Sequence, residues 1–120
     1  MWGKPRQLRH FLSFSDWTKA ELLGMVAQAQ RMKRHPLWYS YSLYNKTLLM
    51  MFAKPSLRTR LSFEVAMLEL GGHAIFYDMA NSPLGKKESI EDGARVSSLY
   101  VDVIMARLFE HETIETFAEH

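Results

Sequence analysis

Residues 47–72 read TLLMMFAKPSLRTRLSFEVAMLELGG. The run TLLMMFA (47–53) is short and unbroken in its apolar character, the pattern of a strand buried on both faces. Pro55 ends it, Ser56 opens a helix, and Gly71 and Gly72 close that helix in the usual way. Strand, tight turn and helix in this order form the unit from which parallel sheets are built. The turn carries an oddity. Arg58 and Arg60 occupy the first helical turn, and no acid appears before Glu64. Helix starts favour acids because their unpaired N–H groups leave that end partly positive. Each cation placed there costs about 0.3–1 kcal/mol unless an anion is near.

The flanking sequence repeats the alternation. Upstream, Thr18 and Glu21 form a T-x-x-E capping box, Leu22, Met25, Val26, Ala29 and Met32 make an apolar stripe at helical spacing, and Pro36 stops the helix. LWYSYSLYNK (37–46) reads as an aromatic-rich connection. Downstream, AIFYDM (74–79) is a second strand and ANSPLGKKE (80–88) a polar loop. SIEDGARVSSLY (89–100) is a helix with Ser89 and Asp92 as its capping pair, VDVIMAR (101–107) a third strand, and HETIETFAEH (111–120) a last helix. The order α-βαβαβα predicts an α/β fold, a parallel sheet with helices on both faces, as one domain over residues 1–120. Ligands of such sheets bind beyond the carboxyl ends of the strands. The PSLRTR turn and Arg107 both land on that edge.

Composition narrows the function. The 120 residues suffice for one domain, and 48% apolar with 23% charged residues is the balance of a soluble globular protein. No segment approaches the roughly 20 consecutive apolar residues of a membrane span. The absence of cysteine excludes disulfides, thiolate metal sites and a cysteine nucleophile, and suits a cytoplasmic location. A net charge of +2, from 15 basic and 13 acidic residues, lacks the excess of a nucleic-acid binder. His10, His35, His111 and His120 show no metal-ligand spacing, and H-E-x-x-E at 111–115 lacks the second histidine of a zinc helix. His73, after the glycine pair, reads as packing or capping, and Met50 and Met51 read as core. Asp78 and Asp102, near strand ends, read first as structural partners. No glycine-rich nucleotide loop is present.

The other helix starts carry acids: Asp16 and Glu21, Glu91 and Asp92, Glu112 and Glu115. The one after Pro55 is built for the opposite charge. A phosphate there would meet the N–H groups of residues 57–60, the hydroxyls of Ser56 and Thr59, and the forked donors of Arg58. Two plainer readings stand beside this one: Ser56 as an N-cap only, and Arg60 as the ion-pair partner of Glu64 one turn on. Residues 58 and 60 lie about 200° apart on a helix, so a regular first turn cannot aim both at one ligand.

KPSLRTRLSFEVAMLELGGHA closely resembles the S-T-R-T-R carbamoyl-phosphate motif, with its following helix, of the aspartate/ornithine carbamoyltransferases. ESIEDGARVSSLYVDVIMAR resembles a later stretch of the ornithine branch, which matches best. The resemblance runs from HFLSFSDWTKAELL to HETIETFAEH. It implies that Ser56, Arg58 and Thr59, with the backbone at Leu57, hold the phosphate of carbamoyl phosphate, and that Arg107 completes the cradle. Leu57 stands where threonine or methionine is commoner, a change that leaves the backbone contribution intact. The implied reaction is carbamoyl transfer to the side-chain amine of ornithine, giving citrulline and phosphate in arginine metabolism, with no metal or organic cofactor. Aspartate, acetylornithine or putrescine are alternative acceptors, and a non-catalytic binding or assembly module is an alternative role.

The resemblance also implies a homotrimer in which the 80–88 loop reaches a neighbouring subunit's site. Pro83 stands where ornithine enzymes often carry glutamine, so that contact is lost or passes to Ser82, Lys86 or Lys87. Lys86 and Lys87 read equally as a solvated loop. The family's H-P-x-Q motif and its amino-acid-binding second domain have no counterpart in the 120 residues, so the chain is expected to be a piece of a longer enzyme and inactive alone.

Overall fold

A computed structural model describes residues 9–54, 56–79, 90–107 and 111–119. Helix α1 (Lys19–Arg34) is followed by β1 (Thr47–Phe52), α2 (Leu57–Glu69), β2 (His73–Asp78), α3 (Ile90–Tyr100), β3 (Val103–Arg107) and α4 (His111–Glu119). The three strands are parallel and stand in the order β2-β1-β3, so the first strand in sequence is central. Met50 faces Phe76 on one side and Met105 on the other, and Phe52 faces Asp78 and Arg107.

The continuous apolar character of β1 follows from this central place. Its even-numbered residues Leu48, Met50 and Phe52 bury against Met67 of α2, with Ala74, Phe76 and Met105 alongside. Met51, on the opposite face, buries against Ala94 of α3, with Leu49, Tyr77, Ile104 and Ala106 around it. Helices therefore cover both faces, and Met50 and Met51 are core, at 0% and 1% exposure. Phe52 and Phe76 meet edge to face at 5.4 Å.

The element boundaries differ from the sequence expectation in several places, among them β1, which ends at Phe52 rather than Ala53, and β2, which ends at Asp78 rather than Met79. Phe14–Asp16 forms a separate 3-10 turn, so Asp16 lies outside the first helix. The aromatic connection contains a second 3-10 turn, Pro36–Tyr39. Strand β2 begins one residue earlier, because the His73 N–H donates to the Lys46 carbonyl at 2.8 Å. Strand β3 begins at Val103, because Asp102 is occupied as an end lock: its carboxylate accepts from the Thr47 N–H at 2.9 Å, and its N–H donates to the Thr47 carbonyl at 3.0 Å. Asp102 thus sits at the amino edge of the sheet in a structural role, and His73 starts β2 at the same edge. Ser89 lies outside the described residues.

The α2–β2 connection explains the glycine pair. Gly71 adopts φ +87°, and a Cβ there would lie 2.6 Å from the Ser40 carbonyl oxygen. Gly72 does not share that positive φ, but a Cβ there would stand 2.6 Å from Met67 Cε and 2.9 and 3.0 Å from the Lys46 and Leu43 carbonyl oxygens. Asn45, at φ 62°, turns the chain into β1, a conformation its short polar side chain tolerates. We expect Gly71→Ala to destabilise the chain by about 1–2 kcal/mol or more, from left-handed strain with a steric clash added, read as a lower urea midpoint. An unchanged midpoint would show that Gly71 is not held in this conformation.

At the start of α1 the capping box forms in full, with the Glu21 N–H donating to Thr18 Oγ1 at 3.1 Å and the Thr18 N–H donating to Glu21 Oε1 at 2.9 Å. Arg9 adds a fork to the Glu21 carboxylate, donates to the Asp16 carbonyl, and lies 3.7 Å over the Trp17 ring. Donation from Arg9, and then from the Thr18 N–H, pulls the Glu21 carboxyl down to about 2. The carboxylate is favoured in the folded state, so its contribution is full above the ordinary value near 4.5 and fades as pH falls towards about 2. An NMR titration should place Glu21 near 2 and move it back towards the ordinary carboxylate range in Arg9→Gln. The variant should also lose part of the pH dependence of stability in that acid window.

Candidate functional site

The site grows from the first turn of α2. Ser56 is its N-cap, with its hydroxyl accepting from the Thr59 N–H at 3.4 Å, and the Arg60 N–H donates to the Ser56 carbonyl at 3.0 Å. The Ser56 hydroxyl also donates to Thr59 Oγ1 at 2.9 Å. Among the described residues no hydrogen bond engages the N–H groups of Leu57 and Arg58. They are free to serve an anion at a helix N-terminus.

The sheet brings the distant arginine to this turn. The Ala53 N–H donates to the Arg107 carbonyl at 2.8 Å, which extends the β1–β3 pairing one step past Phe52 and Arg107. The Arg107 side chain then reaches α2, where Nη1 donates to Thr59 Oγ1 at 3.4 Å. Residues 48 positions apart thereby share one hydroxyl. The place is a topological switch: the chain leaving β1 enters α2 on one face, and the chain leaving β3 enters α4, which packs on α3 at the other face. Ligands of open α/β sheets bind in such crevices.

The two arginines of the turn part company. Arg60 Nε donates to Glu64 Oε1 at 2.7 Å, and its guanidinium lies 3.8 Å from the centre of the Phe76 ring. The ion-pair reading of Arg60 therefore describes the structure. Arg58 is exposed and makes no hydrogen bond or ion pair among the described residues. Leu57 is 72% exposed, so its side chain does not shield the turn. The structure thus joins Ser56, Thr59 and Arg107 directly and leaves Arg58 free beside them. The expectations for Pro83 and Lys87, with Ser82 and Lys86, lie outside the described residues. The stack of Arg60 on Phe76 had no signal in the sequence, since it crosses from helix to strand.

This set suits a tetrahedral oxyanion: two guanidinium groups, two hydroxyls and a helix N-terminus that has no acid in its first turn. The described residues hold no cluster of three or more metal-ligating side chains, and none of their helices is long and apolar enough to cross a membrane.

Comparison with known proteins gives a consistent family picture. Residues 9–120 match the model of the carbamoyl-P binding domain of aspartate/ornithine carbamoyltransferase. The chain is 42% identical over 112 residues to an ornithine carbamoyltransferase of Shewanella oneidensis, covering 93% of this chain and 37% of the relative. It is 45% identical over 113 residues to a catabolic ornithine carbamoyltransferase of Halobacterium salinarum, covering 94% and 38%. The crystal structure of an anabolic ornithine carbamoyltransferase from Campylobacter jejuni superposes with a TM-score of 0.86 at 41% identity, covering 93% of this chain and 36% of that one. The chain thus spans less than two-fifths of the length of these relatives.

A cation at this helix start is unfavourable until an anion arrives. Arg58→Gln should therefore stabilise the fold by about 0.3–1 kcal/mol in phosphate-free buffer. Urea titrations with and without phosphate will show whether the gain disappears when the anion is present.

Proposed function

The chain belongs to the aspartate/ornithine carbamoyltransferase family, and on that footing we propose that it binds carbamoyl phosphate and supplies the phosphate half of a carbamoyl-transfer site. The observation that carries this reading is the junction at Thr59, where the Ser56 cap and the Arg107 side chain converge on the first turn of α2. In this reading the N–H groups of Leu57 and Arg58, the hydroxyls of Ser56 and Thr59, and the guanidinium groups of Arg58 and Arg107 receive the phosphate oxygens. The acceptor is the side-chain amine of ornithine, the substrate named by the matching relatives.

The reaction is a displacement at the carbamoyl carbon. The uncharged amine attacks, a carbon–nitrogen bond forms, and a tetrahedral intermediate collapses with cleavage of the bond to the bridging oxygen. Phosphate leaves, the amine loses a proton, and citrulline results. Negative charge grows on the carbonyl oxygen and then on the departing phosphate. Fixed cations in a prearranged turn stabilise that charge without reorganising, and holding the two reactants together supplies much of the remaining acceleration.

In this reading carbamoyl transfer belongs to the whole enzyme, and the chain, which spans 37% of a matching relative's length, supplies the phosphate side of its site. We place it in a homotrimer with a site shared between subunits. The outward apolar stripe of Leu57, Leu61, Val65 and Leu68 on α2, beside the cradle, supports that assembly.

Calorimetry with carbamoyl phosphate tests the cradle. Arg58→Ala should weaken binding by about 10–100-fold, the range for losing a hydrogen bond to a charged group. Equal binding by wild type and variant would remove Arg58 from the site. A colorimetric ureido-product assay with ornithine, aspartate and acetylornithine should give no product with the isolated chain. Ordinary turnover would overturn the view that it supplies half a site.

A further inference from the structure

Arg60 stands in the signature turn but is turned away from any anion there. Its Nε donates to Glu64 at 2.7 Å, and its guanidinium carbon lies 3.8 Å from the Phe76 ring centre. Phe76 is itself held edge to face on Phe52, a fully buried residue of the central strand. A continuous chain of contacts, Glu64–Arg60–Phe76–Phe52, therefore ties the start of α2 to the sheet core. On the other flank, Thr59 is tied to β3 through Arg107 at 3.4 Å.

Helix geometry gives these two ties a consequence. Successive residues are about 100° apart around the axis, so fixing Arg60 on the sheet side fixes the roll of the whole first turn. Thr59 is then brought to Arg107, and Arg58, about 200° round from Arg60, is held off the sheet. The Thr59–Arg107 contact is already long, so a small roll of α2 would break it.

We propose that Arg60 is a positioning residue: clamped between Glu64 and Phe76, it sets the roll of α2 and hence where Ser56, Arg58 and Thr59 stand relative to Arg107. This rests on the reading of the turn as a carbamoyl-phosphate cradle. The clamp requires arginine. A planar guanidinium can stack on a ring while its edge meets a carboxylate, whereas an ammonium is a point charge that cannot do both in this way.

The test is carbamoyl-phosphate binding, measured by calorimetry on wild type, Arg60→Lys, Phe76→Leu and the double variant at a temperature where circular dichroism shows all four folded. Both single variants should lose about tenfold or more in affinity, as a misplaced binding group does. The double variant should lose no more than the worse single, because both substitutions open one clamp. In wild type, saturation with carbamoyl phosphate should shift the side-chain NMR signals of Arg58 and Arg107 and leave Arg60 Nε unmoved. If Phe76→Leu does not fold, Glu64→Gln takes its place, with a smaller loss and again no addition to Arg60→Lys.

Wild-type affinity in Arg60→Lys overturns the proposal. So does a loss confined to Arg60→Lys with Phe76→Leu unaffected, since Arg60 would then be touching the anion itself. Additive losses in the double variant overturn it too. Each of these outcomes leaves the cradle standing. A wild-type chain that binds no carbamoyl phosphate removes the cradle and the positioning role together.

Discussion

The pairing of β1 with β3 is the constraint on which the site depends. Parallel strands hold a register residue by residue, and here the register sets Phe52 beside Arg107 at the carboxyl edge. One further hydrogen bond, from the Ala53 N–H to the Arg107 carbonyl, carries the pairing up to the turn itself. Arg107 can therefore reach Thr59 only while β1 is central and β3 is in this register. A slip of one residue would turn the Arg107 side chain to the opposite face of the sheet, away from α2. At the amino edge, Asp102 secures the same pairing through two hydrogen bonds to Thr47, so a residue far from the crevice helps to hold it in place.

The same geometry explains why stability and function pull in different directions around α2. Helices α1 and α3 carry acids in their first turns, and α1 ends with Arg31, Lys33 and Arg34, as the backbone dipole favours. Helix α2 has no acid in its first turn and presents Arg58 there instead. The partial positive charge of this helix start is therefore left without a carboxylate in its first turn. Arg60 shows how a second arginine is accommodated at the same place: a carboxylate one turn on and an aromatic face beneath it take up its charge.

The organisation of the molecule also separates packing from chemistry. Among the described residues, the buried hydrophobic ones lie mainly on β1, with Met67 of α2 and Ala94 of α3 as their partners. The polar residues of the site stand at the rim of that core, where β1 and β3 end. Matches to a catabolic and to an anabolic relative cover this stretch at similar identity.

Much of this was legible along the chain. The unbroken apolar run of β1, the capping box at Thr18 and Glu21, the glycine pair after α2 and the reversed charges after Pro55 are local signals, set by backbone angles and near neighbours. They determined the alternation of helix and strand, the parallel sheet and a helix start that has no acid in its first turn. The tertiary structure decided what depends on contacts between distant elements. It placed β1 between β2 and β3, engaged Asp102 as an end lock that shortens its strand, and brought Arg107 to Thr59. It also gave Arg60 its ring partner on β2. Strand order and side-chain reach across a sheet leave no periodic trace in sequence, because they are fixed only when separate segments pack on one core.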